Sequence, residues 1–472
     1  MDLSSHYIFT SSSSTATRKG GLLLKGKARS DRQSVHLNVL VDTSGSMDLE
    51  NKLDSVKRSL QVMLVLLSEQ DRLSLVSFDD TSKLILNKVT PTQAERDAIS
   101  YRISNLRTDG STNMSAGLLE ARELVEPAET GRKQGLLLLT DGHANLGVHD
   151  TAGITSIVKR ILEQHPHLSI TTVGYGVDHN ADLLTEIAKN GGGAYNVVKD
   201  LQDVAGTFGD VLGGLSSVSA QRICVEFPTG YKVQTSYPTT IQTDGTTVVN
   251  IGDLYAETEI TVLFEGTPSL PPIRVKGTDM MTLDGINATV APSESPSEDQ
   301  YPLSFIIAEH RTMVAEIIRK FRSRIVRAEE VRTMLDMIRA NTRIASHPIT
   351  AFLIEDLEQI LTIQSNNRGM TQEEETVMAQ HSAYIGLTRG LRTVTGPYPS
   401  QSLPPPPMRL QRQVAVAHSL SSGEAFDPGS PEPNPRTPPA GSPSADARFL
   451  SPTANAHQQR LASLMRTMSN QP

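Results

Sequence analysis

The chain has 472 residues, too many for one hydrophobic core and enough for about three domains. Its 44 basic and 52 acidic residues give a formal charge of −8, which offers no general attraction to nucleic acid or to an anionic membrane. A single cysteine, Cys224, excludes an internal disulfide and any thiolate-ligated zinc centre.

Residues 1–19 are polar and low in complexity and are expected to be disordered. They hold no apolar leader core, and no run of ~18 uninterrupted apolar residues follows, so the chain reads as intracellular and cytoplasmic. Residues 20–28 contain the short apolar run Gly21 to Lys27, a strand of a sheet separate from the one that follows.

From 34 to 216, strand and helix patterns alternate as in a doubly wound α/β domain, a mostly parallel sheet with helices on both faces. Strand Val35–Val41 precedes a helix with Leu53, Val56, Leu60, Met63, Leu64 and Leu67 at helical spacing. Asp71–Phe78 and Lys83–Val89, joined by Asp79-Asp80-Thr81, form a hairpin that gives the sheet one antiparallel edge strand. Pro91 suits the first turn of a helix reaching Leu106. Helix Met114–Val125, strand Gly135–Thr140, helix Thr151–Gln164, strand Leu168–Gly174, helix Asp182–Lys189, strand Ala194–Val198 and a helix from Leu201 complete the domain.

Residues 218–290 change to β-like runs split by Gly, Pro and Asn turns, an antiparallel β-sandwich that the 20–28 strand joins. After an acidic Ser/Pro linker at 291–300, residues 301–395 form a helical region of four segments. Residues 396–472 are Pro/Ser-rich and read as a disordered tail. Its run Pro404 to Pro407 suits an SH3- or WW-type groove, and Ser430-Pro431, Thr437-Pro438, Ser442-Pro443 and Ser451-Pro452 suit proline-directed kinases.

Asp42-Thr43-Ser44-Gly45-Ser46 lies between the first core strand and the first helix, where an α/β sheet puts its binding site. Alone, such a loop is more often a helix N-cap, because its oxygens satisfy free backbone N–H groups. An acid and two hydroxyls at every second position also present three oxygen ligands, which favour a hard cation, magnesium first and then manganese or calcium. The pattern resembles the metal-ion-dependent adhesion site of von Willebrand factor type A (VWA) domains. Thr112, in Thr108 to Asn113, and Asp141, in Leu139-Thr140-Asp141-Gly142, match the remaining positions in order. The resemblance implies that Ser44, Ser46 and Thr112 reach the cation through hydroxyls and that Asp42 and Asp141 act mainly through water. The partner then supplies an Asp or Glu carboxylate as last ligand.

The expected function is therefore metal-dependent protein–protein recognition, without nucleic acid or membrane as partner. Catalysis is not expected. A haloacid-dehalogenase phosphatase needs a second Asp where Ser44 stands, and no phosphate loop, His-Glu-x-x-His pair or Gly-x-Ser-x-Gly elbow is present. His165 and His167 read as a solvated loop, and His143 and His149 as surface residues near Asp141. The helical region loosely resembles the segment that follows VWA in U-box and Hint-associated proteins. That leaves an alternative, a component or adaptor of a ubiquitin-ligase system. A metal-free VWA scaffold is the third reading.

Overall fold

The computed structural model describes residues 2–8, 18–27, 32–176, 178–199, 201–267, 270–291, 293–294, 302–366 and 370–386. The 396–472 tail, with its proline run and Ser/Thr-Pro pairs, lies outside them.

Strands β1 (Asp2–Ile8) and β2 (Arg18–Lys25) come first. The central domain follows as β3 (Ser34–Asp42), a 3-10 turn over Gly45–Asn51, α1 (Lys52–Leu66), β4 (Arg72–Phe78), β5 (Ser82–Val89), α2 (Arg96–Ser104), α3 (Met114–Glu123) and β6 (Arg132–Thr140). It ends with α4 (Thr151–Gln164), β7 (Leu168–Tyr175), α5 (Ala181–Asn190), β8 (Gly192–Val198) and α6 (Leu201–Ser216). Sheet order is β5-β4-β3-β6-β7-β8, with β5 antiparallel to β4 and every other pair parallel.

Apolar residues on both faces of each central strand require helices on both sides. Val35, Leu37, Val39 and Val41 pack with Val56 and Leu60 of α1 and Phe208 of α6. Leu40, Leu136 and Leu138 pack with Leu118 of α3, Val158 of α4 and Leu184 of α5. The chain steps from β3 to β4 on one side and then to β6 on the other. The sheet therefore reverses between β3 and β6, and its crevice opens at their carboxyl ends. Helix α2 corrects one expectation. It starts at Arg96, well past Pro91, because the chain first turns through Thr92, whose carbonyl accepts from the Glu95 and Arg96 N–H groups.

α6 passes through Ser217 directly into β9 (Val218–Phe227). Next come β10 (Lys232–Gln234), β11 (Thr239–Ile241), β12 (Thr247–Tyr255), β13 (Glu259–Gly266), β14 (Ile273–Asp279), β15 (Gly285–Val290) and β16 (Ser293–Glu294). They form two sheets, β11-β12-β9-β14-β15 and β10-β13-β2-β1-β16. Leu22 and Leu24 of the second sheet share one core with Val225, Phe227, Ile251 and Val275 of the first. Two expectations change here. Asp2–Ile8, read as disordered, pairs antiparallel with β2 along its whole length, and Ser293–Glu294, read as linker, pairs with β1. Backbone pairing of this kind does not depend on side-chain hydrophobicity, so a polar segment joins a sheet once its neighbour is in place.

Helices α7 (Leu303–Arg322), α8 (Ala328–Ala340), α9 (Pro348–Ser365) and α10 (Gln372–Gly386) pack on one another around Val314, Ile318, Leu335, Leu357 and Met378. Phe305 of α7 is fully buried over Gly21, where an added Cβ would lie 3.0 Å from its ring. α10 packs against α5 and β8, and Ala379 enters the core of the central domain. No helix among the described residues is long and apolar enough to cross a membrane.

The central domain and sandwich share one buried ion pair. The Lys133 ammonium at the start of β6 lies 2.9 Å from Asp253 of β12 and donates to the His167 carbonyl at 2.9 Å. Both charged side chains are at most 5% exposed. Removing one partner strands a buried charge, so Lys133→Met is expected to cost ~3–5 kcal/mol in urea unfolding, and pairing it with Asp253→Leu is expected to recover most of that.

His36 of β3 is fully buried, 3.1 Å from Ser74 Oγ and 3.2 Å from Glu126. Burial, only partly opposed by Glu126, pulls its imidazole from the usual 6.5 down to about 4. The neutral form is favoured in the fold, so this stability is complete above pH 6.5 and is lost as pH falls toward 4. Between pH 7.5 and 5, wild type is expected to lose on the order of 1–2 kcal/mol more than His36→Asn in urea unfolding.

Candidate metal centre

Three loops meet above the carboxyl ends of β3 and β6. The first, Asp42 to Ser46, is tied to its neighbours through the backbone. Thr43 N–H donates to the Phe78 carbonyl at 2.8 Å, Asp109 N–H to the Thr43 carbonyl at 2.8 Å and Gly45 N–H to the Gly110 carbonyl at 3.1 Å. The second loop reaches Gly110 with φ +60, where a Cβ would collide with Asp80. Its Thr112 donates through N–H to Asn145 Oδ1 at 2.9 Å and accepts from Asn145 and Leu146 N–H in the third loop. The third loop follows Asp141, whose carbonyl accepts from Asn180 N–H at 2.9 Å.

Asp42, Ser44, Thr112 and Asp141 are all buried, and Ser46 is half-buried. Asp42 accepts from Ser44 N–H at 2.9 Å through Oδ1 and from the Thr140 hydroxyl through Oδ2. Thr140 Oγ1 in turn accepts from Gly142 N–H at 2.8 Å. Asp141 takes His143 N–H at 3.3 Å and has the Lys52 ammonium 3.4 Å away. The expected residues of the first loop thus stand together, Asp141 is linked to Asp42 through the intervening Thr140, and Thr112 is held by the same loop that carries Asp141.

The helix-cap alternative makes a distinct demand, a Ser, Thr or Asp oxygen of the loop on a free N–H of the first turn, whereas Asp42 Oδ1 takes the N–H of Ser44, before that turn. Ser44 makes no cap bond, and neither does Asn51 before α1. Ser44 Oγ instead stands 3.2 Å from Ser46 Oγ. Adjacent ligands of an octahedral magnesium at ~2.1 Å are about 3 Å apart, so the two hydroxyls fit neighbouring positions. Burial, with the nearby Asp141 charge adding to it and hydrogen bonds from Ser44 and Thr140 opposing it, pushes the Asp42 carboxyl up to about 6. The buried Asp42 carboxylate and the Ser44 and Ser46 hydroxyls are hard, oxygen-only donors of the kind that suits magnesium or manganese. Among the described residues there is no group of three or more His, Cys, Asp or Glu side chains that could hold a metal ion.

The structure adds participants that the motif does not contain. Thr140 orients Asp42, Asn145 holds Thr112, and Lys52 is only 2% exposed at its side chain, between Asp141 and Asp178. Burial works against the Lys52 charge, but Asp178 and Asp141 more than offset it and hold its pKa above the usual lysine range. A signal for Lys52 was present. It precedes Val56 by four residues and so falls on the apolar row of α1. His143 is exposed at the rim, with Nε2 2.9 Å from the Asp178 carbonyl oxygen. His167 is half-buried, with its ring nitrogen against the Glu126 carbonyl, rather than solvated.

Residues 36–197 match the family described as von Willebrand factor type A domain. YfbK of Escherichia coli (strain K12) is 31% identical over 186 residues, covering 39% of this chain and 32% of that protein. Protein sll0103 of Synechocystis sp. is 27% identical over 208 residues, 43% of this chain and 47% of that protein. Inter-alpha-trypsin inhibitor heavy chain H4 of Bos taurus is 26% identical over 198 residues, 40% and 21%. The match thus spans less than half the length of each of these relatives. Of solved structures, von Willebrand factor type A from Catenulispora acidiphila superposes with a TM-score of 0.56 at 14% identity, covering 78% of this chain and 92% of its own. The ArnB paralog VWA2 from Sulfolobus acidocaldarius does so with 0.53 at 15% identity, covering 83% and 99%. At such identities the likeness concerns the fold, and it extends beyond the central domain. Residues 36–197 therefore correspond to a VWA domain, a class generally associated with protein–protein interaction.

Thr140→Val keeps the side-chain shape but leaves Asp42 Oδ2 and Gly142 N–H unpaired in a buried place. A loss of ~1–3 kcal/mol in urea unfolding is expected.

Proposed function

We propose that the protein is a metal-dependent recognition module, which binds a protein partner through a cation held by Ser44, Ser46 and Thr112 directly and by Asp42 and Asp141 through water. The observation that supports this reading is the pair of Ser44 and Ser46 hydroxyls 3.2 Å apart, with Ser44 making no helix-cap bond, beside the buried Asp42 carboxylate in the loop after β3. The cation, magnesium or manganese, would supply an electrophilic position for an Asp or Glu side chain of the partner. This chain's part is to fix the donors. Thr140 holds Asp42, the Gly110 carbonyl holds the turn at Gly45, and Asn145 holds Thr112.

Binding rather than covalent chemistry is supported by the one thiol. Cys224 lies in the sandwich strand β9, and burial, with Glu226 adding to it, pushes its thiol up, away from the thiolate a nucleophile needs.

The test is affinity capture in magnesium against EDTA, with wild type, Asp42→Ala and Ser46→Ala. A partner is expected to be retained by wild type in magnesium and lost in EDTA and in both variants. Partners that bind equally under all conditions would remove the metal-dependent reading and direct attention to the helices.

A further inference from the structure

Lys52 is out of place for a lysine at the start of a helix. Such residues normally extend into water, and lysine is among the side chains least often buried. Here the side chain is 2% exposed, with Nζ 3.4 Å from Asp141 Oδ2 and 2.8 and 3.0 Å from the two oxygens of Asp178.

The backbone is bent to put it there. The residues just before it, Glu50 (φ 54, ψ 23) and Asn51 (φ 56, ψ 32), are both left-handed without being glycine. Two in succession is a costly arrangement that persists only where the surroundings impose it, and such strain gathers at functional sites. The wall opposite is shaped to match. Gly176 has φ +79, and a Cβ there would lie 2.8 Å from Lys52 Cε and 2.9 Å from Asp178 Oδ1, so any side chain would displace the pair. The Asp178 backbone is held in turn at its carbonyl oxygen, 2.9 Å from His143 Nε2. The start of α1, the end of β6 and the loop after β7 thus converge on one ammonium.

We propose that Lys52 sets the charge of the metal site: its ammonium takes up part of the Asp141 charge, Asp178 limits how much, and the bound cation is left short of negative charge, so that it draws its last ligand from an anionic partner. This rests on the cation reading given above. Asp42 and Asp141 together could neutralise a divalent cation and leave it indifferent to a carboxylate. With Lys52 against Asp141 the compensation is incomplete, and a partner carboxylate gains affinity. With Asp178 against Lys52 the repulsion is limited, and the cation is still retained. Lys52 touches neither cation nor partner in this arrangement. It is a positioning and charge-setting residue.

A unit charge about 6 Å from a divalent cation changes its affinity on the order of tenfold even at the dielectric constant of water. The experiment is calorimetric titration of the full chain with manganese(II), for wild type, Lys52→Met, Lys52→Gln and Asp178→Asn, with circular dichroism to confirm folding. Lys52→Met and Lys52→Gln are expected to bind manganese roughly tenfold more tightly, and Asp178→Asn more weakly by a smaller factor, because its carboxylate lies beyond Lys52 and is about half exposed. Acetate, titrated into the manganese-saturated proteins as the simplest carboxylate, is expected to bind more weakly to both Lys52 variants than to wild type.

Opposite signs at two residues of one ion pair are not what a purely structural contact produces. Asp178, about half exposed, keeps the test open should the Lys52 variants unfold. Lys52→Gln matching wild type would overturn the proposal in favour of hydrogen bonding alone, and Lys52→Met binding manganese more weakly would overturn it outright. Folded wild type that binds no manganese would instead remove the cation reading beneath it.

Discussion

Two buried carboxylates at the ends of adjacent parallel strands, Asp42 and Asp141, are the constraint from which the arrangement of the domain's upper face follows. Uncompensated, such a pair is costly in a low-dielectric interior. Each surrounding loop answers part of that cost. Thr140 and Ser44 N–H satisfy Asp42, His143 N–H and Lys52 satisfy Asp141, and Asp178 balances Lys52. The balance is imperfect, as the upward shift of Asp42 shows. The face thus keeps buried carboxylates beside the paired Ser44 and Ser46 hydroxyls, although apolar groups there would cost less to bury.

The same economy of contacts joins the domain to the rest of the chain. The domain's last helix, α6, enters the sandwich through a single residue, and the Lys133–Asp253 pair fixes the opposite end of β6 against β12. β6 therefore carries Asp141 just past its carboxyl end and a buried ion pair at its amino end. The helices add a third anchor. α10 closes over α5 and β8, and α7 covers β2 through Phe305 and Gly21. The central domain is held by both of its neighbours, away from the face that carries Asp42 and Asp141.

Much of this was legible in the chain because the signals are local. An alternating and then continuous apolar run marks β3, a continuous one marks β6, and helical spacing marks α1 and α4. Asp42, Ser44 and Ser46 stand in one turn, and Thr112 and Asp141 follow in the order the resemblance requires. Other features were not legible. Pro91 invites a helix start, yet Thr92 accepts the first bonds. The Ser- and His-containing stretch Asp2–Ile8 carries no strong strand signal, because its partners β2 and β16 are supplied from elsewhere in the chain. Lys52 falls on the apolar row of α1, but its pairing with Asp178 could not be read, because Asp178 lies far along the sequence.

The sequence by itself determined the alternation of strands and helices, the place of the acid-and-hydroxyl turn between them, and the type of donor the turn can offer. These follow from side-chain chemistry and from periods of two and 3.6 residues, which are properties of neighbours along the chain. Only the tertiary structure decided how charge is shared in that turn, and which distant segments complete the sandwich. Electrostatic compensation and strand pairing act through space between residues that the chain separates widely, from Lys52 to Asp178 and from β1 to β16. No local pattern encodes either distance.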